Sequence, residues 1–197
     1  MTKSSVLIYI HGFNSSALSF KAGLLRERMA ALRRSHEFAC PELPHRPREA
    51  IALLDGLLKQ RRAENVALVG SSLGGYYATW LSEHHGIPAV LVNPAVRPYE
   101  LLAMCVGRQT NLHSGLQYDF TARHLAELRE FEVAGITPER YLLLVTTGDE
   151  VLNYNNALER YRGCDQLVIE GSDHGFNEFE LYLDRVLAFC GFAGASH

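Results

Sequence analysis

The stretch GSSLG, residues 70–74, gives the clearest indication of the fold. It matches the pattern G-x-S-x-G, in which a sharp, strained turn between a strand and a helix presents the central serine at a sheet edge. An apolar run at residues 65–69 precedes it, and residues 75–81 have a helical composition. The flanking glycines let neighbouring backbone pass where a Cβ would collide. The pattern also fits an ordinary strand-to-helix loop, but in this setting it predicts that Ser72 is a nucleophile.

A serine hydroxyl is a weak nucleophile and needs a neighbouring base. Among the nine histidines, His174 has the most informative position, because its loop GSDHG, residues 171–175, directly follows the apolar run 166–169. The same loop could cap the following helix through Asp173, and the two roles are compatible. We predict that His174 is the general base.

The acid that would orient this imidazole is predicted at the end of another strand. Asp149 follows the most strand-like run of the chain, residues 141–147, after a turn at Gly148. Glu150 is the alternative, but the shorter reach of an aspartate at a strand end favours Asp149. The chain order is then nucleophile, acid and base.

Backbone donors for a developing oxyanion are expected at two places. One is the N–H of Leu73, which follows the nucleophile. The other lies in the loop HGFNSS, residues 11–16, after the first apolar run. Phe13 is the predicted donor there, with Asn14 as the alternative. We interpret His11 as a hydrogen-bonded residue that shapes the turn.

Apolar runs alternate with helical patterns, which predicts a mostly parallel sheet with helices on both faces. Strands are predicted near residues 6–10, 37–40, 65–70, 89–93, 141–147 and 166–169. Helices are predicted over residues 20–33, 48–61, 75–84, 153–160 and 176–189. Right-handed crossovers would bring the active loops to the carboxyl ends of the strands.

The segment 94–140 interrupts this alternation and contains short helical patterns at 99–106 and 121–131. We interpret it either as a small cap inserted over the site or as a plain crossover helix with a long irregular entry. Arg97 lies in this segment, just past the end of a predicted strand. It could bind an anionic group of a substrate or hold its loop through an ion pair, and both roles stay open.

Together these motifs resemble the α/β-hydrolase superfamily and, within it, the small bacterial YqiA-like esterase family. The resemblance rests on YIHGFNSS (9–16), GSSLGGYYATWL (70–81), NPAVRPYELL (93–102), TGDEVLNY (147–154) and GSDHGF (171–176). It implies a reduced sheet of about six strands in the order 2-1-3-4-5-6. It also implies a serine esterase that cleaves small carboxylic esters through a Ser-His-Asp triad. Thioesterase or acyltransferase activity, or a non-catalytic binding role of the same fold, are the alternatives.

Length and composition predict one domain over residues 1–197, with 94–140 as the possible small cap. The chain is 47% hydrophobic and 21% charged, and its net charge of −3 offers no basic field to nucleic acid or a membrane. The four cysteines are far apart and have no metal-binding spacing, and no leader pattern is visible, which favours reduced thiols in the cytoplasm. We expect no cofactor, no metal and a small-molecule ester as partner; the oligomeric state stays open.

Overall fold

The computed structural model describes residues 4–62 and 64–192 as alternating strands and helices. The strands are β1 (Ser5–Ile10), β2 (Phe38–Ala39), β3 (Asn65–Ser71), β4 (Ala89–Val92), β5 (Gly107–Thr110), β6 (Gln117–Phe120), β7 (Tyr141–Thr146) and β8 (Asp165–Ile169). The α-helices are α1 (Phe20–Ala31), α2 (Pro47–Gln60), α3 (Leu73–His85), α4 (Pro98–Leu101), α5 (Ala122–Arg129), α6 (Tyr154–Arg160) and α7 (Leu183–Phe189).

Six strands form one sheet in the spatial order β2-β1-β3-β4-β7-β8, and every neighbouring pair is parallel. Counted along this sheet alone, the order is 2-1-3-4-5-6, so the predicted fold class and strand order are confirmed. The central strands β1, β3, β4 and β7 are buried almost throughout. Helices cover both faces of a parallel sheet, which explains why these strands are continuous apolar runs.

Alternate residues of each central strand enter two separate cores, as the twofold period of a strand requires. In β1, Val6, Ile8 and Ile10 pack in the core that α2, α3, α5 and α6 cover. Leu7 and Tyr9 pack in the other core, under α1 and α7. The carboxyl ends of all six strands therefore meet at one edge, where the loops of the predicted site lie.

The insertion 94–140 differs from the predicted helical segments. The first pattern is the short helix α4 followed by a 3₁₀ turn at Leu102–Cys105, and the second is α5. Between them lies an antiparallel hairpin of β5 and β6, which the sequence analysis missed. Its first strand is polar and almost fully exposed, so it carries no apolar alternation to reveal it.

The last helix begins later than the predicted residue 176. Phe176 has φ 56°, a left-handed conformation that a side-chain-bearing residue cannot adopt inside an α-helix. A 3₁₀ turn at Phe179–Tyr182 leads into α7 instead.

Within residues 4–62 and 64–192, no helix has both the length and the apolar composition needed to cross a bilayer.

The start of α3 approaches β1 so closely that only glycine fits at residue 74. A Cβ on Gly74 would lie 2.0 Å from the Ile10 carbonyl oxygen, a backbone atom that cannot rotate away. We expect Gly74→Ala to destabilise the protein by at least the roughly 1–3 kcal/mol typical of overpacking. Urea denaturation followed by circular dichroism measures this change.

Gly56 in α2 is the matched control, because nothing lies within 4 Å of a Cβ placed there. Gly56→Ala should stabilise the protein by about 0.5–1 kcal/mol, the helix preference of alanine over glycine. Equal stability of the two variants would contradict the close approach of α3 to β1.

Candidate active site

Ser72 occupies the turn between β3 and α3 in a strained conformation, with φ 54° and ψ −121°. A side-chain-bearing residue in such a region costs on the order of 1–3 kcal/mol and persists only where the surroundings hold it. The Ser72 N–H donates to the Val92 carbonyl at 3.0 Å, and the Ser72 carbonyl accepts from Ala95 N–H at 3.1 Å. Backbone contacts to the end of β4 thus fix the turn that presents the hydroxyl.

His174 connects the Ser72 hydroxyl to a buried carboxylate. Its Nε2 lies 3.1 Å from Ser72 Oγ, and its Nδ1 lies 2.8 Å from Asp149 Oδ2. With the proton on Nδ1, His174 donates to Asp149 and accepts from Ser72. The structure therefore brings these three residues, 102 and 25 positions apart in sequence, into one hydrogen-bonded chain.

The Asp149 carboxylate is held in its charged form. Its side chain is only 1% exposed, and its Oδ1 accepts from the N–H groups of Val151 at 2.9 Å and Leu152 at 2.7 Å. Burial alone would raise the pKa of Asp149, but the hydrogen bonds from His174, Leu152 and Val151 outweigh burial and lower the pKa. A carboxylate that stays ionised is suited to stabilise an imidazolium.

Glu150, the alternative acid, contacts the backbone of His174 and not its ring. Its Oε2 accepts from His174 N–H at 3.0 Å. Asp173 does not cap a helix, because none begins at residue 176; instead it closes a turn, in which its Oδ1 accepts from Phe176 N–H at 2.8 Å and its Oδ2 from the Asn177 amide at 2.8 Å. The two acids shape the loop that carries the imidazole.

Asn93 is a site residue that the sequence analysis missed. It is buried at the end of β4 with φ 42°, and its Oδ1 accepts from Thr146 N–H at 2.9 Å. Its Nδ2 donates to Thr146 Oγ1 at 3.0 Å and reaches the His174 carbonyl at 3.4 Å. One amide thus ties β4 to the strand of the acid and to the loop of the base. An asparagine between a strand and a proline was the only signal for it.

The loop after β1 lies directly against Ser72. A Cβ on Gly12 would lie 3.2 Å from Ser72 Cβ and 3.7 Å from its Oγ. Among the residues that the structure describes, the N–H groups of Phe13 and Leu73 have no hydrogen-bond acceptor. Two donors therefore stand beside the serine with no partner in the described protein.

His11 is buried and holds this loop in its neutral form. Its Nε2 accepts from Leu43 N–H at 3.2 Å, and its Nδ1 lies 3.1 Å from the Gly12 carbonyl, to which it donates. Burial lowers the pKa of His11, so the neutral ring that this pattern requires is the stable form at neutral pH.

Asn14, which has φ 53°, fastens the same loop to the hairpin. Its Nδ2 donates to Gln109 Oε1 at 3.0 Å, its Oδ1 accepts from Tyr118 OH at 2.5 Å, and its carbonyl accepts from Leu112 N–H at 3.0 Å. The hairpin of the insertion is thus attached to the loop that abuts Ser72.

Ser72 and His174 line a cleft of about 210 Å³, together with Phe13, Phe20 and Lys21. A larger cavity of about 970 Å³ lies on the side of α5 and α6 and contains neither the serine nor the imidazole. Because the smaller cleft contains Ser72 and His174 of the hydrogen-bonded chain, we identify it as the candidate active site.

Arg97 lines the larger cavity and not the cleft of Ser72. Its side chain is 63% exposed, and its nearest acidic partner is Glu100 at 3.9 Å. The structure therefore does not bring Arg97 together with the other predicted site residues. This placement favours the alternative role of a weak local ion pair over substrate binding.

One group of potential metal ligands occurs in the described part of the chain, outside the cleft. The ligand atoms of Asp55, His84 and His85 lie within 4.8 Å of one another. Asp55 already pairs with His85 at 2.8 Å and with Lys59 at 2.6 Å, so a cation there would have to displace a lysine.

Comparison with known proteins connects most of the chain to one family. A family model described as an uncharacterised protein family, UPF0227, matches residues 6–191. The UPF0227 protein YcfP of Escherichia coli (strain K12 / DH10B) is 24% identical over 186 residues, which cover 93% of this chain and 98% of YcfP.

Solved structures of similar fold span almost the entire chain. A putative hydrolase from Agrobacterium vitis S4 has a TM-score of 0.71 at 17% identity, covering 95% of this chain and 88% of that one. Alpha/beta hydrolase domain-containing protein 10 from mouse has a TM-score of 0.70 at 18% identity, with coverages of 95% and 91%. Est1E from Butyrivibrio proteoclasticus has a TM-score of 0.68 at 15% identity, with coverages of 96% and 88%. At such identities these similarities show the α/β-hydrolase fold.

The two neighbouring acids are expected to differ sharply in their contribution to turnover. Asp149→Asn should lower kcat by about 10⁴-fold, because an amide neither stabilises the imidazolium nor fixes the correct tautomer. Glu150→Gln should have a small effect, since the glutamine oxygen still accepts from His174 N–H. Hydrolysis of p-nitrophenyl acetate by both purified variants measures the difference, and the reverse ranking would assign the role of the acid to Glu150.

Proposed function

The chain belongs to the UPF0227 family, and we propose that it is a serine hydrolase that cleaves small carboxylic esters through an acyl-enzyme. The observation that carries this proposal is the continuous hydrogen-bonded chain from Asp149 through His174 to Ser72 Oγ. The strained turn at Ser72 supports it further, because such conformations concentrate at functional sites.

In the first half of the reaction, Ser72 Oγ attacks the ester carbonyl while His174 Nε2 accepts its proton. The ionised Asp149 stabilises the imidazolium that results. The N–H groups of Phe13 and Leu73 donate to the oxyanion of the tetrahedral intermediate. His174 then returns the proton to the departing alcohol, which leaves an acyl group on Ser72.

In the second half, a water molecule attacks the acyl carbonyl, and His174 Nε2 removes a proton from it. The same two N–H groups stabilise the second oxyanion. Collapse of this intermediate breaks the bond to Ser72 Oγ, which regains a proton from His174. The products are one alcohol and one carboxylic acid per ester and water consumed.

The size of the cleft supports small substrates. The cleft has a volume of about 210 Å³. Sites that enclose drug-sized ligands span about 300–1,000 Å³. An acyl group of a few carbons fits this space, whereas a long chain would have to extend over the protein surface.

A fluorophosphonate probe tests the nucleophile directly, because it reacts with an activated serine. We expect wild-type protein to be labelled on Ser72, and Ser72→Ala to lose labelling together with about 10⁴-fold or more of kcat. Ser35→Ala, at an exposed serine outside the site, is the control and should be labelled as the wild type is. Unchanged labelling of Ser72→Ala, or an unlabelled wild type, would contradict the proposal.

Acyl length is the second test. We expect kcat/KM for p-nitrophenyl esters to be highest from acetate to butyrate and to decrease steadily beyond, because the cleft cannot enclose a longer chain. The rate of hydrolysis of a long-chain ester should not increase when its concentration exceeds the solubility limit and an emulsion forms. A preference for palmitate over butyrate would contradict the small-substrate assignment.

A further inference from the structure

Lys21, in the first turn of α1, places a buried ammonium at the cleft of Ser72. The residue is only 8% exposed and lines the same cleft as Ser72 and His174. Its Nζ donates to the Gly175 carbonyl at 2.6 Å, one residue beyond the candidate base. The proposed mechanism assigns no role to this ammonium group.

The charge of Lys21 has no counter-ion in direct contact. Among the described residues, no carboxylate oxygen lies within 4.0 Å of its Nζ. Burial lowers the pKa of Lys21 to about 8, while Asp173 and Asp149 act from a longer distance in the opposite direction. The ammonium is thus still mainly charged at neutral pH. A buried charge without a counter-ion is costly unless something in the functional state pairs with it.

Hydroxyl-bearing residues line the cleft together with Lys21. They are Tyr9, Ser15, Ser19 and Ser71, and the aromatic residues Phe13 and Phe20 line the same cleft. The lining therefore suits a short acyl group that carries both hydrocarbon and oxygen atoms.

We propose that Lys21 binds a carboxylate of the substrate, so that the preferred substrates are half-esters of short dicarboxylic acids. The inference rests on the proposed function and names its substrate class. A single ammonium group matches a monoanionic carboxylate, which pairs well with a charged donor. Because Lys21 and Ser72 line the same small cleft, the carboxylate and the scissile ester must lie close together, as they do in one short acyl group.

Two esters of equal shape separate charge recognition from general binding. Monoethyl succinate carries a carboxylate where ethyl levulinate carries a methyl ketone. We expect wild-type kcat/KM to favour monoethyl succinate by roughly ten- to a hundredfold, the range for a hydrogen bond to a charged group. A pH-stat follows the acid released from either ester.

Lys21→Met keeps the length of the side chain and removes its charge. It should abolish the preference for monoethyl succinate and reduce ethyl levulinate hydrolysis far less, while Lys21→Arg should restore part of the preference. Lys59→Met, at an exposed lysine on α2, is the matched control and should keep the wild-type ratio. If Lys21→Met lowers kcat/KM equally for both esters, Lys21 only positions Gly175, and the proposal is wrong. The proposal would also be overturned if wild-type protein showed no preference for monoethyl succinate. The same holds if Arg97→Ala, and not Lys21→Met, abolished that preference.

A binding measurement keeps this test separate from that of the proposed function. Calorimetry on Ser72→Ala should detect monoethyl succinate, and the double variant Ser72→Ala/Lys21→Met should bind it at least tenfold more weakly. If Ser72 is labelled by the fluorophosphonate but this difference is absent, the carboxylate site fails and the hydrolase stands. If Ser72 is not labelled, the hydrolase fails, and calorimetry still decides whether Lys21 binds the carboxylate.

Discussion

The backbone of Ser72, held at a positive φ, is the constraint on which the rest of the structure depends. To keep it there, α3 must begin against β1, where Gly74 leaves no room for a Cβ beside the Ile10 carbonyl. The end of β4 must also supply both a hydrogen-bond acceptor and a donor to the turn. Contacts with three adjacent strands, β1, β3 and β4, therefore hold the strained turn. The central parallel sheet in this way fixes the position of the Ser72 hydroxyl.

The positions of His174 and Asp149 depend on a second set of contacts at the same edge of the sheet. A Cβ on Gly148 would lie 2.2 Å from the Ser172 carbonyl, so the loops after β7 and β8 are in direct contact. Thr147 Oγ1 accepts from Gly171 N–H at 2.9 Å, and the Asn93 amide reaches the end of β7 and the loop after β8. Local backbone contacts, and not the imidazole itself, set the distance between His174 and Ser72.

The features predictable from sequence are those that leave a local pattern. Neighbouring residues alone indicate the turn at residues 70–74, the buried strands and the aspartate that follows a strand. Long-range contacts leave no such pattern: Lys21 and Gly175 are 154 positions apart, and Asn93 acts through contacts with β7 and with the loop after β8. The hairpin was missed although β6 alternates polar and aromatic residues, because four residues are too few for a period to stand out. Arg97 follows a strand as a site residue would, yet its exposed side chain lines another cavity.

The attachment of the hairpin to Asn14 bears on how this scaffold can be recombined. Segments inserted at this point of a fold are often treated as exchangeable modules. Here residues 107–120 share several hydrogen bonds with the loop at 11–16, and Phe120 packs edge-on against Phe13 with ring centroids 5.2 Å apart. A chimaera must therefore transfer both segments as one unit. Extra residues are best grafted at the exposed tip, positions 113–115, which lies beyond the contacts of Asn14.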